Sequence, residues 1–209
     1  MNTPTLPVAA LAVFSTLLCA TSSARVEAAG EDPHAAHRAT LHQLKNAKRS
    51  LADYQLPDVS LVREDGRATT LVEALDGGQP VVVDFIFTTC ASICPILSQN
   101  FSQLQKKLGS DLGKVRLVSI SIDPEQDTPA RLLEYAKRYH AGQRWHFYTG
   151  TVEASRAVQQ AFGVYRGDKM SHTPATLLRG APGQPWIRID GFATGGELAK
   201  EVRDLVAAR

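Results

Sequence analysis

The clearest strand signal in the chain is the run Val81–Phe87, in which β-branched and aromatic residues are interrupted only by Asp84. A short, nearly continuous apolar run of this kind is typical of a strand that is covered on both faces of its sheet. Similar runs predict further strands at Val59–Val62, Val115–Ile122, Trp145–Tyr148, Ala175–Leu178 and Trp186–Ile189.

Apolar residues at helical spacing alternate with these strands. Thr128 and Pro129 form a helix start, because threonine caps the first free N–H groups and proline suits the first helical position. Residues 70–75 are predicted to be a short connection. The predicted helices are Ile96–Leu108, Thr128–His140, Val152–Phe162 and Glu197–Val206.

The order of these elements predicts an α/β fold with a central mixed β-sheet flanked by helices. A strand, a cysteine-bearing turn, a helix and a second strand come first, and a hairpin and a final helix close the chain. That order is typical of a thioredoxin-like fold. The helix Val152–Phe162 and the strand before it look like an insertion into that fold.

The first 24 residues are predicted to lie outside the fold, as a signal peptide or an N-terminal anchor. Leu6–Ala20 is mostly apolar and shorter than the roughly 20 residues of a spanning helix. Ser22 and Ala24 supply the small residues of a cleavage site before Arg25, although no Lys or Arg precedes the apolar run. We therefore expect an exported, periplasmic protein, with retention in the inner membrane as the alternative.

Residues 25–53 are predicted to form a polar, flexible linker, and residues 54–209 the thioredoxin-like domain. A short helix over Ala35–Leu51 is the alternative for part of the linker. His34, His37 and His42 could bind a metal transiently, but a solvated linker without a metal role is the favoured interpretation.

Composition narrows the class of partner. The formal net charge is only +2, and charged residues make up 21% of the chain. No basic stripe with interleaved aromatic residues is present, which argues against nucleic acid.

The chain has three cysteines. Cys19 lies in the N-terminal apolar run, and the preceding Leu18 argues against lipidation at this position. After cleavage the exported chain would keep Cys90 and Cys94 as its two cysteines, in an oxidising compartment.

Cys90 and Cys94 lie in or beside the turn between the strand Val81–Phe87 and the next helix. Helix N-terminal amides favour anions and so lower the pKa of thiols placed there. The spacing is CxxxC, one residue longer than the usual CxxC redox motif, and it permits either chelation of one ion or a disulfide. Thiolates are ligands for soft metals.

His172 is the candidate third ligand. It lies in a loop just before the strand Ala175–Leu178, and in a thioredoxin-like fold that loop faces the cysteine-bearing turn. Two thiolates and one imidazole would satisfy three-coordinate Cu(I), and could hold Cu(II) with added oxygen ligands. Asp123 is interpreted as a turn residue and Met170 as a packing residue, although either could approach a metal.

The stretches FIFTTCASICP (85–95), SISIDPEQDTP (119–129) and the loop around His172 resemble the Sco/SenC copper-binding proteins over residues 56–209. The resemblance implies a thioredoxin-like fold that binds copper through Cys90, Cys94 and His172. It also implies a metallochaperone for the copper-bearing subunit of cytochrome c oxidase, or a thiol reductant for it. Another periplasmic copper protein is the alternative partner.

Two departures from the family pattern stand beside His172. Ser171 replaces the Asp that often precedes this histidine, which removes a carboxylate that would orient the imidazole. Thr173 and Pro174 resemble the cis-proline loop of thioredoxins, and they favour the alternative of a thiol-disulfide oxidoreductase that uses Cys90 and Cys94.

Two further alternatives are weaker. A thiol peroxidase would carry PxxxTxxC, yet Val83 and Phe87 stand where that motif has Pro and Thr. A purely structural Cys90–Cys94 disulfide would close a very short loop and add little stability.

Overall fold

The computed structural model describes Met1 and residues 47–209 of the chain. Its eight strands form one sheet in the order β1-β8-β7-β4-β5-β6-β2-β3. The strands are β1 Lys48–Ala52, β2 Ser60–Arg63, β3 Ala68–Thr70, β4 Val81–Ile86, β5 Arg116–Ser121, β6 Trp145–Gly150, β7 Ala175–Arg179 and β8 Trp186–Asp190.

Five α-helices join these strands within the described residues. They are α1 Leu71–Leu75, α2 Ile93–Leu108, α3 Pro129–Arg138, α4 Val152–Ala161 and α5 Gly195–Ala207. Short 3₁₀ segments follow α2 at Gly109–Lys114 and precede β7 at Lys169–Ser171. Thr128 caps α3 through its side chain with Pro129 in the first turn, as the sequence predicts.

Strand β4 is the centre of the sheet, and all six of its residues are buried. It pairs in parallel with β5 and antiparallel with β7. The unit β4-α2-β5 therefore adjoins the β7-β8 hairpin and its following helix, α5. The predicted α/β class and mixed sheet are confirmed.

Aromatic side chains cover both faces of this sheet. On the face under α2, the ring of Phe101 lies 5.5 Å from that of Trp145. On the opposite face, Phe162 at the end of α4 lies 5.7 Å from Phe85 and 5.4 Å from Trp186. The centre of the sheet is thus dry on both sides, and polar groups there need partners within the protein.

Two elements differ from the sequence prediction. Lys48–Ala52, placed in the linker 25–53, is strand β1 and pairs with β8 along its whole length. The sequence of β1 is mostly polar and therefore gave no strand signal. An edge strand can form from such a sequence because backbone hydrogen bonds to its neighbour hold it in the sheet. The connection over 70–75 contains the end of β3 and α1, which Thr70 and Glu73 cap reciprocally.

The predictions for the N-terminal region lie outside the described residues, apart from Met1. They concern the signal peptide or anchor over 1–24, Cys19, the linker up to residue 46, and His34, His37 and His42. No helix in the described part of the chain has the length and hydrophobicity required to cross a bilayer.

The contribution of β1 is testable by truncation. A chain that begins at residue 54 lacks β1 and leaves β8 without its outer partner, so we expect a free energy of unfolding lower by about 2 kcal/mol or more, since each lost backbone hydrogen bond contributes about 1 kcal/mol. Urea denaturation of chains beginning at residues 47 and 54 measures the difference. Equal stability would show that β1 contributes nothing to the fold.

Candidate metal centre

The two cysteines lie where β4 gives way to α2. The Cys90 N–H donates to the Phe87 carbonyl at 3.1 Å, which closes the turn after the strand. Cys94 lies in the first turn of α2, and its N–H donates to the Cys90 sulfur at 3.4 Å. The sequence prediction that both sulfurs lie in or beside the strand-to-helix turn is confirmed.

The two thiols differ in their environment. Both are free, and Cys94 is fully buried whereas Cys90 is 9% exposed. A hydrogen bond from the Cys94 side chain, helped by the Cys94 N–H, lowers the pKa of the Cys90 thiol to about 4. The same contact and its burial raise the pKa of Cys94. Cys90 is therefore the thiolate of the pair at neutral pH.

His172 follows the 3₁₀ turn Lys169–Ser171. The pairing of β7 with β4 ends at Asp84 and Thr176. One residue further along β4, the Phe85 carbonyl lies 3.1 Å from His172 Nε2. A neutral imidazole donates this hydrogen bond from Nε2 and keeps a lone pair on Nδ1.

The other ring nitrogen, Nδ1 of His172, is buried and has no hydrogen-bond partner among the described residues. Burial lowers the pKa of His172, so its imidazole is neutral at neutral pH. A buried nitrogen with a free lone pair is an incomplete site, because such groups are normally paired. It is also the form in which histidine binds metals.

These three side chains do not form a ready-made ligand set. Within residues 47–209, no group of three His, Cys, Asp or Glu side chains is arranged to hold a metal ion. The fold brings Cys90 and Cys94 together and places His172 on the neighbouring strand end. The three-residue ligand set thus stays a prediction.

The loop around His172 departs from two sequence expectations. No peptide bond in the described part of the chain is cis, so the bond before Pro174 is trans. The prediction that this loop resembles the cis-proline loop of thioredoxins is therefore wrong. The interpretation of Met170 as a packing residue is also wrong, because its side chain is 73% exposed.

A buried carboxylate fixes the cysteine-bearing turn. Asp127 accepts hydrogen bonds from the Thr88 N–H at 3.1 Å and the Thr88 hydroxyl at 2.5 Å. The hydroxyl of Thr88 donates to Oδ1, whereas Oδ2 accepts from the Thr88 N–H and also from the Ser121 hydroxyl, at 2.6 Å, at the end of β5. Burial raises the pKa of Asp127 against these hydrogen bonds. Sequence reasoning missed this role, although Asp127 lies in one of the motifs that carried the resemblance.

An ion pair holds the loop before His172 to the same sheet edge. Lys169 Nζ lies 2.6 Å from Asp123 Oδ2, and Asp123 is 5% exposed. The Asp123 carbonyl also accepts from the N–H groups of Gln126 and Asp127, so its interpretation as a turn residue is confirmed. Its ion pair to the loop had no signal in the sequence.

Comparison with known proteins identifies the family. The SCO1/SenC family profile matches residues 47–207. The chain belongs to the SCO1/SenC family. It is 37% identical over 99 residues to the SCO1 protein homolog of Bacillus subtilis, which covers 47% of this chain and 50% of that protein.

Solved structures agree with this assignment. Arabidopsis thaliana ScoI, crystallised with copper bound, superposes with a TM-score of 0.61 at 26% identity, over 73% of this chain and 98% of that one. BsSco, a member of the Sco family of cytochrome c oxidase assembly proteins in which a disulfide switch was identified, gives 0.63 at 28% identity, over 77% and 98%. The predicted thioredoxin-like fold is confirmed.

A second buried carboxylate in this SCO1/SenC chain lies beneath the site. Asp84 is fully buried in β4, where it accepts a hydrogen bond from Ser119 at 2.5 Å. Its Oδ2 has no partner among the described residues. Burial raises the pKa of Asp84 to about 7. The sequence marked it as the one polar residue in the apolar run.

This shift predicts a pH dependence of stability. Between about pH 4 and pH 7 folded Asp84 keeps a proton that the unfolded chain releases, so its contribution to the free energy of unfolding falls as the pH rises through that window. In the wild type we expect the free energy of unfolding to fall by a few kcal/mol across this window, and we expect Asp84→Asn to show no such fall. Urea denaturation across the window measures it.

An exposed carboxylate supplies the control for this experiment. Asp58→Asn changes the same charge outside the core and should follow the wild-type pH profile. Parallel profiles for Asp84→Asn and the wild type would contradict the shifted pKa.

Proposed function

We propose that this protein binds copper through Cys90, Cys94 and His172 and assists assembly of the copper centre of cytochrome c oxidase. The SCO1/SenC assignment and the copper-bound relative support the proposal that the protein binds copper. BsSco, a member of the Sco family of cytochrome c oxidase assembly proteins, supports the proposed role in assembly of the oxidase.

The observation that carries the proposal is the pairing of donor types at one sheet edge. Cys90 is poised as a thiolate, and Cys94 lies against it. His172 adds a neutral, buried imidazole whose Nδ1 has no partner in residues 47–209. Two sulfurs and one imidazole suit Cu(I), whereas Cu(II) would require added oxygen ligands.

Copper loading on this proposal requires the cysteine-bearing turn to move towards His172. The three side chains are not yet arranged as ligands, and His172 is held by the Phe85 carbonyl. Binding through Nδ1 would keep that hydrogen bond as support for the ring, the role that a second partner plays for metal-binding histidines. The Phe85 carbonyl would then orient the imidazole, the role that the resemblance assigns to a carboxylate at the position of Ser171.

The proposed setting is the periplasm. The N-terminal apolar run supports export, with cleavage or retention as an inner-membrane anchor. The proposed recipient is the copper-bearing subunit of cytochrome c oxidase or another periplasmic copper protein. Cu(I) is the proposed form in a reduced pair, since a disulfide would remove both thiolates.

Copper titration of the reduced protein tests the ligand set. We expect one Cu(I) per chain, lost in Cys90→Ser and Cys94→Ser, and an affinity at least about tenfold lower in His172→Ala, which corresponds to about 1.4 kcal/mol. Competition with a chromophoric Cu(I) chelator under anaerobic conditions gives the stoichiometry and the affinities.

Met170→Leu is the matched control, because it removes an exposed sulfur two residues from His172. It should bind copper as the wild type does. Wild-type affinity in His172→Ala would refute the three-ligand site, and a reduced affinity in Met170→Leu would add a ligand to it.

A thiol-disulfide oxidoreductase is the second candidate, and the asymmetry of the two thiols favours it. The Cys90 thiolate would attack a substrate disulfide and expel one substrate thiolate. The buried Cys94 would then attack the mixed disulfide and release the second. The Cys90–Cys94 pair ends oxidised by two electrons, and the substrate disulfide ends as two thiols.

Trapping the mixed disulfide tests this order of attack. With oxidised glutathione, we expect Cys94→Ser to accumulate an adduct on Cys90, and Cys90→Ser to react at least about tenfold more slowly, because Cys94 is fully buried and this burial raises the pKa of its thiol. Intact-mass spectrometry measures both. His172→Ala should keep this reaction, so a variant that loses copper but not exchange separates the two functions. An adduct on Cys94 in Cys90→Ser, formed at the wild-type rate, would reverse the assignment.

A further inference from the structure

A basic cavity lies at the other end of the sheet from the cysteines. Its volume is about 220 Å³, and four arginines, Arg63, Arg67, Arg116 and Arg144, line it together with Tyr148. We propose that this cavity binds a phosphate group, carried either by free phosphate or by a lipid headgroup. The proposal does not depend on the copper function.

The sheet register explains why these residues meet. Tyr148 is paired with Ile120 of β5 and with Arg63 of β2, and His146 is paired with Val118. Side chains two residues apart on a strand share a face. Arg116, two residues before Val118, therefore emerges on the same face as Arg63 and Tyr148.

Two of the arginines are fixed in place by neutral acceptors. Arg116 donates to the carbonyls of Glu73 and Ala74 at 2.7 and 2.8 Å, at the end of α1. Arg144 donates to the carbonyls of Val115 and Gly113 at 3.2 and 3.0 Å. Neither guanidinium has a carboxylate partner among the described residues, so both positive charges stay uncompensated while their positions are held.

The carboxylates near the cavity are already engaged. Asp65 forms an ion pair with Arg63. Glu73 accepts from the Thr69 hydroxyl and the Thr70 N–H as part of the cap of α1. Glu64 lies 3.0 Å from the lining residue His146 and also accepts from the Phe147 N–H. Four guanidinium groups thus face one lining carboxylate and two adjacent ones, and the cavity keeps an excess of positive charge.

Guanidinium groups match the geometry of phosphate oxygens and are more weakly hydrated than ammonium groups. A cavity of 220 Å³ exceeds the roughly 30 Å³ share of one water molecule several-fold, so it has room for a phosphate group. Tyr148 lines the same cavity. Several guanidinium groups around one cavity suit a tetrahedral oxyanion, whose oxygens accept paired hydrogen bonds from arginine.

The cavity is separate from the proposed metal centre. Arg116 begins β5, and Ser121, bound to Asp127, ends it. Five residue steps of about 3.3 Å place the two ends roughly 17 Å apart. A bound anion therefore does not touch the thiols, and copper binding and anion binding can be assayed independently.

Arg67 offers the cleanest variant. It is exposed, and its side chain makes no hydrogen bond to the part of the chain that the structure describes. Arg67→Gln removes the charge and leaves the supporting contacts of Arg116 and Arg144 intact. Arg67→Lys restores the charge, and Arg138→Gln removes an arginine elsewhere on the surface.

The test is calorimetric titration of the full chain with inorganic phosphate, with sodium chloride at equal ionic strength as the blank. We expect one phosphate per chain, an affinity at least about tenfold lower in Arg67→Gln from the loss of one charged contact, partial recovery in Arg67→Lys, and no change in Arg138→Gln. No phosphate binding beyond the chloride blank, or binding insensitive to Arg67, would overturn the proposal.

Co-sedimentation with phosphatidylglycerol vesicles separates the two sources of the phosphate group. Binding to vesicles that depends on Arg67 and competes with inorganic phosphate identifies a headgroup. Phosphate binding without vesicle binding identifies the free anion. Vesicle binding that persists unchanged in Arg67→Gln, with no phosphate binding, refutes the cavity as the site.

Discussion

The carboxylate of Asp127 is the contact on which the candidate metal centre depends. It joins Thr88, in the turn that carries Cys90, to Ser121, at the end of the neighbouring strand. Because β4 and β5 are parallel, their ends lie side by side, and this cross-link fixes the turn relative to the end of β5. Hydrogen bonds to a charged acceptor contribute about 1.5–3 kcal/mol each, so those from Thr88 and Ser121 offset part of the cost of burying the carboxylate.

The position of His172 follows from the place where the pairing of β7 with β4 ends. The last pair is Thr176 with Asp84, one residue before Phe85. The imidazole binds the Phe85 carbonyl, and its second nitrogen is buried without a partner among the described residues. The Lys169–Asp123 ion pair holds the same loop to the end of β5. The histidine is thus supported from both neighbouring strands.

The sequence predicted those features that depend on local pattern. Strand β4, helix α2 and the Thr128 cap are set by consecutive residues, and the two cysteines lie between recognisable elements. Strand β1 escaped prediction, because its stability comes from β8, more than a hundred residues away. Asp84 was visible as a polar break in an apolar run, although its partner Ser119 was not.

The contacts that the sequence did not reveal are set by register. Asp127 meets Thr88 across 39 residues, and Lys169 meets Asp123 across 46. The arginines of the basic cavity lie at or next to the ends of four strands, β2, β3, β5 and β6, and no local run of basic residues marks them. A sequence pattern has a period of a few residues, whereas these neighbours are fixed only when the strands are aligned.

The two proposed functions of the cysteine pair use the same sulfurs and therefore exclude each other in any one molecule. A Cys90–Cys94 disulfide removes both thiolates, and a copper ion held by both occupies them. The low pKa of Cys90 favours metal binding and disulfide exchange alike, so the thiols by themselves do not separate the two. The imidazole does, because exchange needs only the sulfurs, whereas a three-coordinate copper site needs the free nitrogen of His172. The residue that decides between a copper carrier and a reductant is therefore the histidine.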